Sequence, residues 1–217
     1  MQITLIGPGS MGRGIATRLL AGGHSVTLAG RSRESAEKLA SELQAGGSGS
    51  VSAAASPAEA IPQSEVVILA SPYAGNLELA RQHGPALAGK TVVDISNPLN
   101  DTYDGLVTPP GTSAGETLQS ALPAGAKLVK AFNTTFAGTL AEGHAAGQPL
   151  DVFLAGDDEE AKHRVADLVR SGGMNPVDVG PLAQARHLEA LALLGITIQG
   201  RLGTGFKSGW KLLVPQG

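Results

Sequence analysis

Gly7, Gly9 and Gly12 stand at the G-x-G-x-x-G spacing of a strand-to-helix turn that can receive a pyrophosphate. Gly7 permits the tight turn, Gly9 leaves the backbone open to a phosphate, and Gly12 lets the following helix pack close to the sheet. Pro8 completes the loop, and the N–H groups of Ser10 and Met11 face the bound anion, aided by the positive end of the helix dipole. Further along stands Gly30-Arg31-Ser32-Arg33, with Ser35 close behind. NAD-specific sites place a carboxylate near this point to hold the ribose 2′-hydroxyl, whereas an arginine accommodates a 2′-phosphate. Two guanidinium groups and two hydroxyls at a helix start, with no carboxylate at Gly30, favour NADP(H) over NAD(H).

The acceptor end of the site is read from strand ends. Ligands of open parallel sheets bind beyond the carboxyl ends of the strands. Ala70-Ser71-Pro72-Tyr73 and Ser96-Asn97-Pro98 each follow an apolar run, so Ala70, Ser71, Pro72, Tyr73, Asn97 and Pro98 border the ribose and nicotinamide. Asn133, Thr134 and Thr135 follow a further strand on the same side and are candidates for touching the electron acceptor, with Ala137 beside the cofactor. Of five scattered histidines, His187 is the candidate for reaching a ligand. The sequence shows no Ser-His-Asp arrangement, no His-x-x-x-His pair and no cysteine, so neither a nucleophilic catalyst nor a metal-ligand set is read from it. The acidic run Asp157-Asp158-Glu159-Glu160 fits a capping box, with Asp157 as cap and Glu160 three residues on. Ketone or imine reduction calls for a positioned acid, whereas hydride transfer to a flavin-like ring proceeds largely by alignment. With no acid–base residue assigned, the sequence leans toward cofactor-to-cofactor transfer.

The elements that must position these residues alternate strand and helix. Ile3, Leu5 and Ile6 make a buried strand, Met11, Ile15 and Leu19 share one face of a helix, and Val26–Ala29 is a second strand. A helix runs from Gly30-Arg31-Ser32-Arg33 to about Leu43, and residues 44–50 are flexible by composition. Val51–Ala55 is a weak third strand, and Ser56-Pro57-Ala58-Glu59 is a capping box with proline at its first helical position. Glu65–Ala70 is the unbroken apolar run of a strand covered on both faces. Helix is expected over Leu77–His83, strands over Thr91–Ile95 and Lys127–Phe132, and a turn-rich loop over 101–115, lying over the site or along the surface. Ser113 and Glu116 cap the short helix after that loop. Leu150–Ala155 and Val177–Val179 are the last strands, and a long apolar helix spans Leu182–Leu202. The pattern is an α/β fold, a Rossmann-type doubly wound and mostly parallel sheet with a small C-terminal α/β lobe.

Composition narrows the classes of partner. The chain has 217 residues, a net charge of −3 with interspersed signs, and no apolar run long enough to span a bilayer. Neither a nucleic-acid footprint nor a membrane face is expected. The chain begins directly on a core strand, which points to a cytoplasmic location.

The blocks GPGSMGRGIATRLLAGGH, AGRSRESAEKL, KAFNTTFAGTL, DVFLAGDDEEAK and DVGPLAQARHLEAL together resemble the coenzyme F-420 (F420):NADP oxidoreductases, and are similar to the cytosolic reductase domain of the STEAP-type metalloreductases. The resemblance implies an NADP-binding Rossmann domain over 1–148 and a small lobe over 149–217 that completes the acceptor site. It implies a homodimer and direct hydride transfer between NADP(H) and a small-molecule acceptor, coenzyme F420 or a flavin such as FMN or FAD. It also sets the 2′-phosphate near Gly30, Arg31, Ser32 and Ser35, and the nicotinamide near Ser71, Pro72, Asn97 and residues 133–137. An imine or carbonyl reductase and a non-catalytic NADP(H)-binding sensor are the competing readings.

Overall fold

A computed structural model describes residues 1–44 and 47–215. Ala45 and Gly46, part of the segment read as flexible, lie outside the described residues. Six parallel strands alternate with helices: β1 (Gln2–Ile6), β2 (Ser25–Ala29), β3 (Ser50–Ala53), β4 (Val66–Leu69), β5 (Thr91–Asp94) and β6 (Lys127–Lys130). A two-residue hairpin, β7 (His144–Ala145) with β8 (Gln148–Pro149), precedes β9 (Asp151–Gly156) and β10 (Asn175–Asp178). The main sheet has the order β10-β9-β6-β5-β4-β1-β2-β3. Its reversal of direction between β1 and β4 is the topological switch point beside which doubly wound sheets bind ligands.

Helices cover both faces: α1 (Ser10–Ala21), α2 (Arg33–Leu43), α3 (Pro57–Ala60), α4 (Tyr73–Leu87), α5 (Ala114–Ala121), α6 (Ala137–Glu142) and α7 (Glu159–Ser171). Ile3, Leu5, Ile15, Leu19, Val93 and Val165 belong to the core on one face, and Ile6, Leu69, Val92, Leu118 and Leu128 to the core on the other. All four residues of β4 are buried, as a strand sandwiched between two helical layers requires.

Strand β9 runs antiparallel to β6 and pairs only at Val129↔Gly156 and Lys130↔Ala155. Its first residues therefore overhang the carboxyl end of β6. One face of the overhang packs into the first core through Val152 and Leu154, and the other, Phe153 and Ala155, meets Leu188 and Trp210. The last helical elements, α8 (Ala185–Thr197) and α9 (Gln199–Leu202), are thereby brought against the strand ends.

Several boundaries differ from the sequence reading. Pro72 starts a helix, α4, that opens at Tyr73 and carries Pro85 in its last turn. Asp158, not Asp157, caps α7 by accepting from the Ala161 N–H at 2.9 Å, because Asp157 instead accepts from the Leu182 N–H at 2.8 Å. The helix expected over Leu182–Leu202 is a 3-10 turn over Leu182–Gln184 followed by α8 and α9. β6 ends at Lys130 because Phe132 takes φ +62, which strand geometry does not allow.

Candidate active site

The glycine turn is set by contacts that leave no room for side chains. Gly7 has φ +112, and a β-carbon there would lie 2.6 Å from the Ala70 carbonyl oxygen. A β-carbon at Gly12 would lie 2.1 Å from the Gly7 carbonyl oxygen, so the first turn of α1 packs directly on the loop. Gly9 differs, with nothing within 4 Å of its β-position. It is also the N-cap of α1, supplies no side-chain cap, and the first turn of the helix contains no acid. The first intrahelical bond runs from Arg13 N–H to Gly9 carbonyl at 2.8 Å, so the N–H groups of Ser10, Met11 and Gly12 find no acceptor among the described residues. Open space before unpaired donors and a helix dipole fit an anionic phosphate.

Gly30 flanks the turn on the β2 side. A β-carbon there would meet the Pro8 ring at 2.8 Å, so Pro8 itself excludes a carboxylate from this position. Ser32 caps α2, accepting from the Ser35 N–H at 3.3 Å and donating to Ser35 Oγ at 3.0 Å. Arg33 is bound along its own helix to Glu37 at 2.6 Å. Arg31 is exposed and enters no ion pair among the described residues, which leaves it the free guanidinium beside the turn. On the β4 side, Ala70 and Ser71 pass directly against Gly7.

A buried ionic network ties the strand ends together. The Lys130 ammonium is fully buried and lies 2.7 Å from Asp94 Oδ2 and 2.8 Å from Glu189 Oε1. It also donates to the Ser96 carbonyl. Burial by itself depresses the lysine pKa, but the two carboxylates outweigh it and the ammonium is held above its ordinary value. Asp94 Oδ1 accepts from Ser96 N–H at 3.0 Å, Ser96 Oγ at 2.7 Å and Asn76 Nδ2 at 3.0 Å. Asn76 in turn donates to the Leu69 carbonyl and accepts from the Ser71 N–H. Glu189 accepts from the Ala114 and Gly115 N–H groups at 3.0 and 3.2 Å, at the start of α5. One connected set of groups therefore fixes the ends of β4, β5 and β6 and binds them to α5 and α8.

Above these ends lies a cavity of about 490 Å³. Met11 contributes to it from the first turn of α1, Ile95 and Asn97 from the end of β5, Asn133–Ala137 from the end of β6, and Ala192 and Ile196 from α8. Tyr103 and Phe206 complete the lining from two loops. No carboxylate, amine or imidazole is among these residues. Asn97 donates to the Asn133 carbonyl at 2.9 Å, and Asn133 Nδ2 donates to Asn97 Oδ1 at 2.9 Å and to the Leu188 carbonyl at 3.1 Å. Both amide hydrogens of Asn133 are thus engaged, whereas its buried Oδ1 has no partner among the described residues. Such an atom marks a place where a ligand's donor compensates a desolvated acceptor.

The structure brings Met11, Asn97, Asn133, Thr134, Thr135 and Ala137 together in one cavity, next to the loop of Gly7, Pro8, Gly9, Ser10 and Gly12. Ser71, Pro72 and Tyr73 lie at the start of α4, and Pro98 is buried behind Asn97, outside the cavity lining. His187 is exposed on α8 and does not line the cavity. Asp94, Lys130 and Glu189 were not singled out in the sequence. The signal for Asp94 and Lys130 was a charge at the end of a strand, in TVVD and KLVK; Glu189 sits on α8 with no such signal. Phe206 lies beyond the last helix read from the sequence, and Tyr103 was part of a loop read as lying over the site or along the surface.

A family model described as NADP oxidoreductase, coenzyme F420-dependent, matches residues 2–98. The F420-dependent NADP reductase of Methanocaldococcus jannaschii is 32% identical over 222 residues, an alignment covering 95% of this chain and 97% of that protein. Metalloreductase STEAP3 of Rattus norvegicus is 34% identical over 195 residues, covering 88% of this chain and 36% of that protein, so the chain spans about a third of this relative's length. A solved structure from Arthrobacter sp., described as a candidate F420-dependent NADP reductase, superposes with a TM-score of 0.84 at 31% identity and covers 99% of this chain and 100% of that one.

Proposed function

The chain belongs to the F420-dependent NADP reductase family, and from that premise we propose that it moves a hydride between NADP(H) and a deazaflavin or flavin held in the cavity above the strand ends. It is an NADP-dependent oxidoreductase, and the residues present fit the dinucleotide. Gly9 leaves open space before the start of α1, and among the described residues the first-turn N–H groups lack acceptors and Arg31 beside Gly30 enters no ion pair. In this reading Gly7–Gly12 hold the pyrophosphate, Arg31, Ser32 and Ser35 take the 2′-phosphate, and Ala70, Ser71 and Asn97 border the nicotinamide end. NADP(H), when bound, supplies the hydride or receives it.

The observation that carries the acceptor class is the uncharged lining of the cavity. Direct hydride transfer needs two rings aligned and water excluded, not a proton donor. Apolar walls from Met11, Ile95, Ala192 and Ile196 exclude water, and the Asn97–Asn133 pair fixes the polar edge against which a ring is oriented. The buried network below holds that edge still. Residues 1–148 then serve as the nucleotide-binding part and 149–217 as the part that completes the acceptor wall.

We place the enzyme in the cytoplasm as a homodimer, whose interface takes in the exposed Leu194, Leu202, Leu213 and Val214. No helix among the described residues is long and apolar enough to cross a membrane. Stopped-flow absorbance with NADPH and, in turn, F420, FMN and FAD tests the reaction. Oxidation of NADPH coupled to reduction of one of these rings is expected, and no oxidation with any of them refutes the reading.

A further inference from the structure

We propose that Tyr103 and Phe206 form an aromatic clamp at the mouth of the cavity that stacks on a planar heteroaromatic acceptor; the acceptor class rests on the proposed function. The chain has few aromatic residues, four Phe, two Tyr and one Trp. Tyr103, Phe136 and Phe206 all line this one cavity.

The backbone at two of them is costly. Thr204–Lys207 is a β-turn closed by Lys207 N–H to Thr204 carbonyl at 3.1 Å, with Gly205 at φ +56 and Phe206 at φ +62. Left-handed geometry at both central positions is the type I′ pattern, whose second central residue is normally Gly or Asn. A phenylalanine there works against its own β-carbon. The turn is nevertheless held on both sides. The buried Gln199 accepts from Thr204 Oγ1 and donates to Ser208 Oγ at 3.0 Å, and Lys211 is tied to Asp151 at 2.6 Å. The Phe206 ring ends up 49% exposed and edge-on to Phe136, at a centroid distance of 5.2 Å and an interplanar angle of 80°.

Tyr103 repeats the pattern on an unrelated loop. It has φ +58 and is 60% exposed. Its loop is laced by Asn100 Nδ2 to Asp104 Oδ1 at 2.7 Å, Asp104 N–H to Asn100 Oδ1 at 3.0 Å and Tyr103 N–H to Asn100 carbonyl at 3.1 Å. Folding alone buries aromatic rings and gives left-handed positions to glycine or asparagine. Two rings that do the opposite, on two loops at one cavity, point to a planar guest, since ring faces recover on stacking what they forgo in burial.

The test compares wild type with Phe206→Gly, Phe206→Tyr, Tyr103→Ala and Tyr103→Phe. FMN and F420 binding are measured by equilibrium titration of the NADP⁺-loaded protein, NADPH binding by titration, and stability by thermal melting. Phe206→Gly and Tyr103→Ala are expected to weaken FMN or F420 by about tenfold and leave NADPH binding within about twofold; Tm should be equal or raised in Phe206→Gly, where glycine relieves the turn, and nearly unchanged in Tyr103→Ala, whose side chain is mostly exposed. Phe206→Tyr and Tyr103→Phe keep a ring and should bind as wild type. Unchanged FMN and F420 binding in the glycine and alanine variants overturns the clamp, as does a joint fall of Tm, NADPH and ring binding. Binding of neither ring by wild type also overturns it, even where another acceptor oxidises NADPH. Ring-dependent binding without turnover sustains the clamp while refuting the proposed reaction.

Discussion

In the proposed function, Arg31 is the residue on which the choice between the two nicotinamide dinucleotides turns. Position 30 cannot carry the carboxylate of an NAD site while Pro8 stands 2.8 Å from where its β-carbon would be. Arg33 is committed to Glu37 and Ser32 to the cap of α2, so the free positive charge beside the cradle is Arg31. A charge-assisted hydrogen bond contributes about 1.5–3 kcal/mol. Arg31→Ala should therefore raise the dissociation constant for NADPH by about tenfold or more and leave NADH nearly unchanged, measured by fluorescence titration. Equal loss for both nucleotides would refute the assignment. The steric requirement at Gly7 and Gly12 was legible because it is written in residue type, and the assignment of Arg31 rests on a charge that is also written there. The exclusion of an acid by Pro8 was not legible, since it depends on how closely two loops approach.

Among the elements, the joint of β5, β6, α5 and α8 rests on Lys130 between Asp94 and Glu189. Removing one member of a buried ion network leaves the others without compensation, at a cost of about 3–5 kcal/mol. Lys130→Met should lower unfolding free energy by that amount in denaturant titrations near neutral pH. The pH dependence has a definite sign. The folded-state pKa of Lys130 is raised, so its contribution is fully present below the ordinary lysine pKa and is lost as pH rises through the folded value. The gap between wild type and variant should hold steady from neutral pH upward and shrink as pH rises into strong alkali; a gap that already narrows between neutral pH and the ordinary lysine range would contradict this. Strands and most helices were readable from apolar runs and caps such as Ser56 and Ser113. Which acid capped α7 was not, because Asp157 and Asp158 are equivalent until the Leu182 N–H claims one of them.

For the molecule as a whole, β9 joins residues 1–148, proposed to bind the nucleotide, to the remainder by pairing with β6 in the same sheet. Asp151, at its start, accepts from Asn175 Nδ2 at 2.9 Å, Lys211 Nζ at 2.6 Å and Leu212 N–H at 2.7 Å, which ties the C-terminal tail to the sheet. A fragment ending at residue 148 would uncover the edge of β6 and the part of the first core that Val152, Leu154 and Val165 cover. Such an edge pairs with other chains. We expect that fragment to associate in sedimentation or light scattering, and the full chain to melt in one transition; a monomeric, cooperatively folding fragment would show that the two parts are independent.

Residue types and their local spacing were enough to specify the strand–turn–helix, the missing carboxylate and the alternation of parallel strands, because these depend on neighbours within a few positions. The cavity was decided by tertiary structure alone. It is assembled from residue 11, residues 95, 97 and 103, residues 133–137, residues 192 and 196 and residue 206, segments whose approach depends on the antiparallel overhang of β9 and on a buried charge network. No local pattern encodes the distance between them.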